Sequence, residues 1–198
     1  MSNVKLSAAE LALAGNAAIL LTKNHIISQV YELFGGLATA YLEEAGKRHL
    51  PAVITAASPK ISRGENYLGL PWVMLDYPRS FAGDDIFSIR TMFWWGHHFG
   101  LFIFLKGSWL TKETIDAIAE LPVGEEWWLC SNTDPWQHHF EPGNMIETVR
   151  LTADQVKAQV AYCGFAKLAK KIPIERWESV ATFMTGNFEK MLSTAAGQ

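Results

Sequence analysis

The strongest pattern in the chain runs from Ile86 to Lys106, IFSIRTMFWWGHHFGLFIFLK, where side chains alternate between two faces with a period of two. One set of positions, Phe87, Ile89, Thr91, Phe93 and Trp95, is apolar but for a threonine. The other, Ile86, Ser88, Arg90, Met92 and Trp94, is mixed and has a cation at its centre. Beyond Gly96-His97-His98-Phe99-Gly100, the return run puts Phe99, Leu101, Ile103 and Leu105 on one face and Phe102, Phe104 and Lys106 on the other. Two β-rich runs around a short glycine-bounded segment predict an antiparallel hairpin of Ile86–Trp95 with Phe99–Lys106. Strands that are apolar on both faces need cover on both, which puts the hairpin at the centre of a packed sheet.

Elsewhere the period lengthens to that of a helix. Ser7-Ala8-Ala9-Glu10 fits a capping box and opens a helix with Leu11, Ala14, Ala18 and Leu21 on one stripe. A longer helix follows from about Asn24, with Ile26, Ile27, Val30, Leu33, Phe34, Leu37 and Tyr41 recurring at helical spacing. Gly35-Gly36 interrupts it and Gly46 is its expected stop. Residues 50–65 read as irregular, and Leu70–Tyr77 as a strand ended by Pro78, with Pro71 marking a strand start or an edge. Thr111 caps a short helix ended by Pro122. A short strand at Glu126–Cys130, a polar loop at Ser131–Asn144 and a strand at Met145–Leu151 come next. Thr152-Ala153-Asp154-Gln155 is a second capping box, and its helix is expected to reach Lys171 with Lys167, Lys170 and Lys171 as a cationic end. The last helix starts near Pro173 and carries Ile174, Trp177, Val180, Ala181, Met184, Phe188, Met191 and Leu192. Helices and strands are segregated along the chain. That predicts an α+β fold, an antiparallel sheet of about four to five strands with N-terminal and C-terminal helices packed against it. No repeat or linker divides residues 1–198, which read as one domain.

Charge narrows the partners. The 17 basic and 20 acidic residues leave a net charge of −3, and no basic stripe is present to neutralise phosphates, so nucleic acid is not an expected partner. No uninterrupted apolar run reaches the about 18 residues that a membrane span needs. Glu10 breaks what would otherwise resemble a leader sequence. Cys130 and Cys163, the only cysteines, have no metal-type spacing and read as reduced thiols of a soluble, cytoplasmic protein.

Phosphate-loop, dinucleotide, zinc-protease and nucleophile-elbow signatures are missing, and no cofactor is assigned. Two histidine pairs, His97-His98 and His138-His139, remain. One member of each, His98 and His138, together with Glu141 or Asp134, would give the two imidazoles and a carboxylate of a hydrolytic metal site. Arg90 carries a better-motivated candidate. A guanidinium amid a strand this apolar needs acceptors. Asp76 shares the parity of Trp72 and Met74, and Glu147 alternates with Met145 and Val149, so either acid offers an internal partner. The functional alternative is a pocket walled by Trp72, Trp94, Trp128 and Trp136, with Arg90 or Arg79 holding an anion. The eight tryptophans include the adjacent pairs Trp94-Trp95 and Trp127-Trp128, which must put one ring on each sheet face. Three functions follow: a small-molecule-binding protein using that pocket, a metal-assisted hydrolase using the histidines, or a homodimeric interaction protein without catalysis.

Overall fold

The aromatic hairpin forms as its alternation predicts. Its strands, Asp85–Trp94 and His98–Lys106, pair antiparallel with Trp94 opposite His98 and Ile86 opposite Lys106. They are the third and fourth of the seven strands among the described residues: β1 (Lys60–Tyr67), β2 (Leu70–Ala82), β3 (Asp85–Trp94), β4 (His98–Lys106), β5 (Trp128–Cys130), β6 (Met145–Glu147) and β7 (Ala166–Pro173). All pairings are antiparallel, and the sheet order is β1-β2-β3-β4-β7-β5-β6. The helices are α1 (Ala8–Ala14), α2 (Ala17–Gly46), α3 (Ala52–Thr55), α4 (Lys112–Ala119), α5 (Ala153–Cys163) and α6 (Val180–Ala195). The computed structural model describes residues 4–48, 50–121 and 125–195. The architecture is α+β, an antiparallel sheet with helices, and has more strands than the pattern indicated.

The two sheet faces serve different purposes. The first face presents Val73, Leu75, Phe87, Ile89, Phe93, Phe99, Leu101, Ile103 and Leu105 to the helices. Helix α2 answers with Val30, Phe34, Leu37 and Tyr41, and α6 with Val180, Met184, Phe188, Met191 and Leu192. Tyr41 stacks on Phe188 at 3.8 Å, and its hydroxyl lies 3.0 Å from Thr91 Oγ1, which provides for the one polar position on that face of β3. Each such buried side chain contributes about 1.5–3 kcal/mol, and this layer holds the larger share of the buried apolar side chains. Trp177 packs on Phe99 at 5.5 Å and is partly buried. The second face holds a separate apolar layer of Met74, Met92, Trp94, Phe102, Phe104, Phe140, Met145 and Phe165.

Several elements depart from the pattern for identifiable reasons. The first helix stops at Gly15, and Asn16 caps a new one, so Ala18 and Leu21 belong to α2 instead of extending the α1 stripe. Helix α1 buries no residue, and Leu11, Leu13, Leu20 and Leu21 are exposed. Strand β1 begins within the stretch read as irregular; as a polar edge strand it lacks a buried alternating face. Strand β2 continues past Pro78 because a bulge between Asp76 and Arg79 absorbs the proline. Pro71, the second residue of β2, marks the strand start and not the sheet edge, since β2 is flanked by β1 and β3. Strand β6 ends at Glu147 and gives way to a 3-10 turn over Thr148–Arg150. Pro122, expected to end α4, lies outside the described residues.

The largest correction concerns residues 164–171. Helix α5 opens with its predicted capping box but closes at Gly164, whose φ of 71° is the left-handed conformation that glycine adopts without penalty. Residues expected to finish that helix form β7, an inner strand between β4 and β5. Lys167, Lys170 and Lys171 therefore do not make a solvated helix end. Lys167 and Lys170 are buried, with Lys170 paired to Glu125 at 2.9 Å over the Trp127 ring. No helix among the described residues is long and apolar enough to cross a membrane.

Candidate functional site

Strand register lines up the polar groups of the second face. Asp76, Arg90 and Phe102 are cross-strand partners in one row of β2, β3 and β4, and Ser88, Phe104 and Lys167 occupy the next row of β3, β4 and β7. Gly100 makes the rings fit, because a Cβ there would lie 2.6 Å from the Phe102 ring. The segment Ser131–Asn144 then runs across this face as a strap. Two local turns shape it: Asn132 Oδ1 accepts from the Asp134 N–H and Asp134 Oδ1 from the Trp136 N–H, both at 2.9 Å.

Arg90 is paired inside the protein, as its parity with Asp76 foretold. Its Nε and Nη2 donate to the two Asp76 oxygens at 2.6 and 3.1 Å, a bidentate ion pair. Its Nη1 lies 3.2 Å from His138 Nε2. A guanidinium only donates, so that ring nitrogen is the acceptor and the neutral imidazole carries its proton on Nδ1. Burial holds the His138 pKa well below the usual histidine range, reinforced by the charges of Lys167 and Arg90. Glu147, the alternative acid, bonds Arg150 instead.

Lys167 is the group that the sequence pattern concealed. Its stem lies under the strap and its Nζ donates to the Pro135 carbonyl at 2.7 Å and to the Gln137 carbonyl. The amine sits 5.1 Å from the centre of the Phe102 ring. Among the described residues no carboxylate lies within ion-pair distance of it. Burial lowers its pKa to about 7; the nearby Arg90 charge acts in the same direction, while Cys130 and Asp134 oppose it. Gly164, a helix-ending glycine, and the following alternation of Ala166, Leu168, Lys170 and Ile172 are the signals that would have put Lys167 on a strand.

Tyr67, also absent from the sequence reading, anchors the strap. Its hydroxyl accepts the His138 and His139 backbone N–H groups at 2.6 and 3.2 Å. Trp136 closes the site from outside: its ring is 5.9 Å from the Arg90 guanidinium and 5.7 Å from Phe104, yet it remains 48 % exposed. Beneath it is a void of about 10 Å³ lined by Ser88, Arg90, Phe102, Phe104, Pro135, Trp136, His138 and Lys167. On the other flank of the strap, Trp128, Phe140, Met145 and Arg150 line an open groove of about 380 Å³.

The remaining candidates scatter. Arg79 shares the second face but its Nε donates to the Ser58 carbonyl at 2.9 Å. Trp94 is buried, donates to the Tyr67 carbonyl and stacks on His97 at 3.6 Å, and Trp72 covers Gly64. Neither ring lines the void, so the four-tryptophan pocket reduces to Trp136 with Phe102 and Phe104. His98 and His138 are linked through the ring chain His98–Phe140–Phe102–His138, and Glu141 is exposed. Among the described residues no three His, Cys, Asp or Glu side chains gather closely enough to hold a metal ion. His98 Nε2 is buried without a hydrogen-bond partner, and burial, helped by Lys171, lowers its pKa to about 4.

No family model, curated protein or solved structure matches the chain.

Proposed function

We propose that the protein binds a small carboxylate beneath the strap, with Lys167 as its anion contact and Phe102, Phe104 and Trp136 as its walls. The observation that carries this reading is the Lys167 amine, a buried cation site supplied with two carbonyls and no acid. Arg90 already has Asp76, so its charge backs the site while Lys167 makes the contact. A buried ammonium without a counter-ion is costly, so the amine of the empty site gives up its proton readily and takes it back together with the carboxylate that pairs with it. The void holds about one water-sized volume, so entry requires Trp136 to swing outward. Its half-exposed ring, carried on a loop, is placed for such a motion. The reading takes the protein as cytoplasmic, with both thiols free, and involves neither nucleic acid nor a membrane.

Titration with acetate and benzoate, followed by amide and indole NMR shifts, tests the proposal. Saturable shifts at Trp136 and along 131–144 are expected, stronger for benzoate and weakened about tenfold or more by Lys167→Met. Shifts indifferent to that substitution, or none at all, would refute it.

A second reading, a homodimer, rests on α1 and the start of α2, whose exposed leucines have no cover among the described residues. Sedimentation of the wild type beside Leu11→Glu/Leu20→Glu tests it: a dimer converted to monomer supports the reading, and a wild-type monomer at all concentrations ends it.

A further inference from the structure

We infer that Lys167 is a nucleophilic amine and that the carboxylates the strap admits are short 2-oxo acids, held through a reversible imine. The inference rests on the carboxylate-binding reading and names the ligand class for the same site.

A neutral primary amine has two N–H donors and one lone pair. Lys167 Nζ has two acceptors, the carbonyls of Pro135 and Gln137, which use both donors and leave the lone pair free. An ammonium would carry a third donor, and among the described residues no acceptor is bonded to it. The protonated form is further disfavoured by the setting. Facing the amine are Arg90 from β3, His138 and Asp134 from the strap and Cys130 from β5. The two carboxylates nearby are engaged elsewhere, Asp76 by Arg90 and Asp134 by strap donors. A desolvated amine beside another cation is the arrangement that activates lysine as a nucleophile at neutral pH.

The second observation is what surrounds the amine. Arg90, His138 and Ser88 line the same small void, so a carbonyl carbon reaching Lys167 would carry its carboxylate among cationic and donor groups. The void holds about one water-sized volume, so every ligand displaces Trp136, and a 2-oxo acid of two or three carbons needs the least further room. The chemistry balances without a further reactant. The nitrogen lone pair forms a C–N bond to the carbonyl carbon as the carbonyl π pair moves to oxygen. That oxygen then leaves as water with the two protons of the amine, and the imine remains. Nothing is oxidised or reduced.

Incubating the intact protein with glyoxylate or pyruvate and trapping with borohydride tests the inference, read by intact mass and peptide mapping. With glyoxylate, one dominant carboxymethyl adduct is expected at Lys167, its formation rate rising through neutral pH, unlike that of the exposed lysines. Benzoate should slow trapping at Lys167 alone, a control on the wild-type protein that requires no variant. Lys167→Arg should lose this adduct. Adducts spread over surface lysines with Lys167 unmodified would overturn the inference. If benzoate still shifts the strap in that case, the binding reading survives without the imine; if it does not, both fall.

Discussion

Replacing Arg90 by methionine removes one half of the Asp76–Arg90 pair and leaves the acid facing an apolar layer. Breaking a fully buried pair costs about 3–5 kcal/mol. The side chains here are 20 % and 15 % exposed, so water reaches part of the pair and moves the cost towards the lower end. His138 Nε2 also loses its donor, worth about 1 kcal/mol, while methionine packing under Trp136 offsets a similar amount. The expected loss is about 2–4 kcal/mol at pH 7. Urea unfolding of wild type, Arg90→Met, Asp76→Val and the double variant measures it and isolates the pair. Since both charges leave together in the double variant, it should lie within about 1 kcal/mol of wild type, with a coupling energy of about 2 kcal/mol or more. An Arg90→Met cost below about 0.5 kcal/mol, or additive single effects, would refute the claim that these two residues form a unit.

Three other perturbations address separate parts of the fold. With its folded pKa of about 7 below that of an unfolded lysine, Lys167 makes the unfolded chain bind more protons between these values. Wild-type stability relative to Lys167→Met should therefore rise from about pH 7 towards pH 10; a flat difference would show that the amine stays charged. His98, held neutral down to about pH 4, should destabilise the fold progressively as pH falls below the unfolded histidine value near 6.5. Denaturation midpoints of His98→Leu should lose less than wild type over that window, and equal losses would contradict the burial assigned to His98. Gly100→Ala forces a Cβ against the Phe102 ring and should cost about 1–3 kcal/mol by thermal unfolding; an unchanged midpoint would mean that the ring moves freely.

How much of this was legible follows from what each residue must satisfy locally. The hairpin faces, the α2 stripe and the apolar side of α6 were readable because burial on a regular element repeats at a fixed period. The Asp76–Arg90 pair was readable for the same reason, as two residues of matching parity on neighbouring strands. Strand β7 was not. Its sequence AKLAKKIP puts lysines on both faces, and a solvated helix end satisfies three cations more simply than a strand does. The fold instead uses each lysine stem as apolar cover and ends each amine on carbonyls, an acid or a ring. Trp136 over Arg90 was also beyond sequence reasoning, because the path of the strap depends on Tyr67, more than sixty residues earlier in the chain. The metal grouping required two loops to converge, and no spacing in the chain demanded it.

A crystal structure of the protein soaked with benzoate decides whether Lys167 holds a carboxylate beneath the strap. A carboxylate is expected within hydrogen-bond distance of Lys167 Nζ, with the Trp136 ring displaced outward and the Asp76–Arg90 pair unchanged. Benzoate bound elsewhere, with Trp136 still closed over an untouched Lys167, would contradict it.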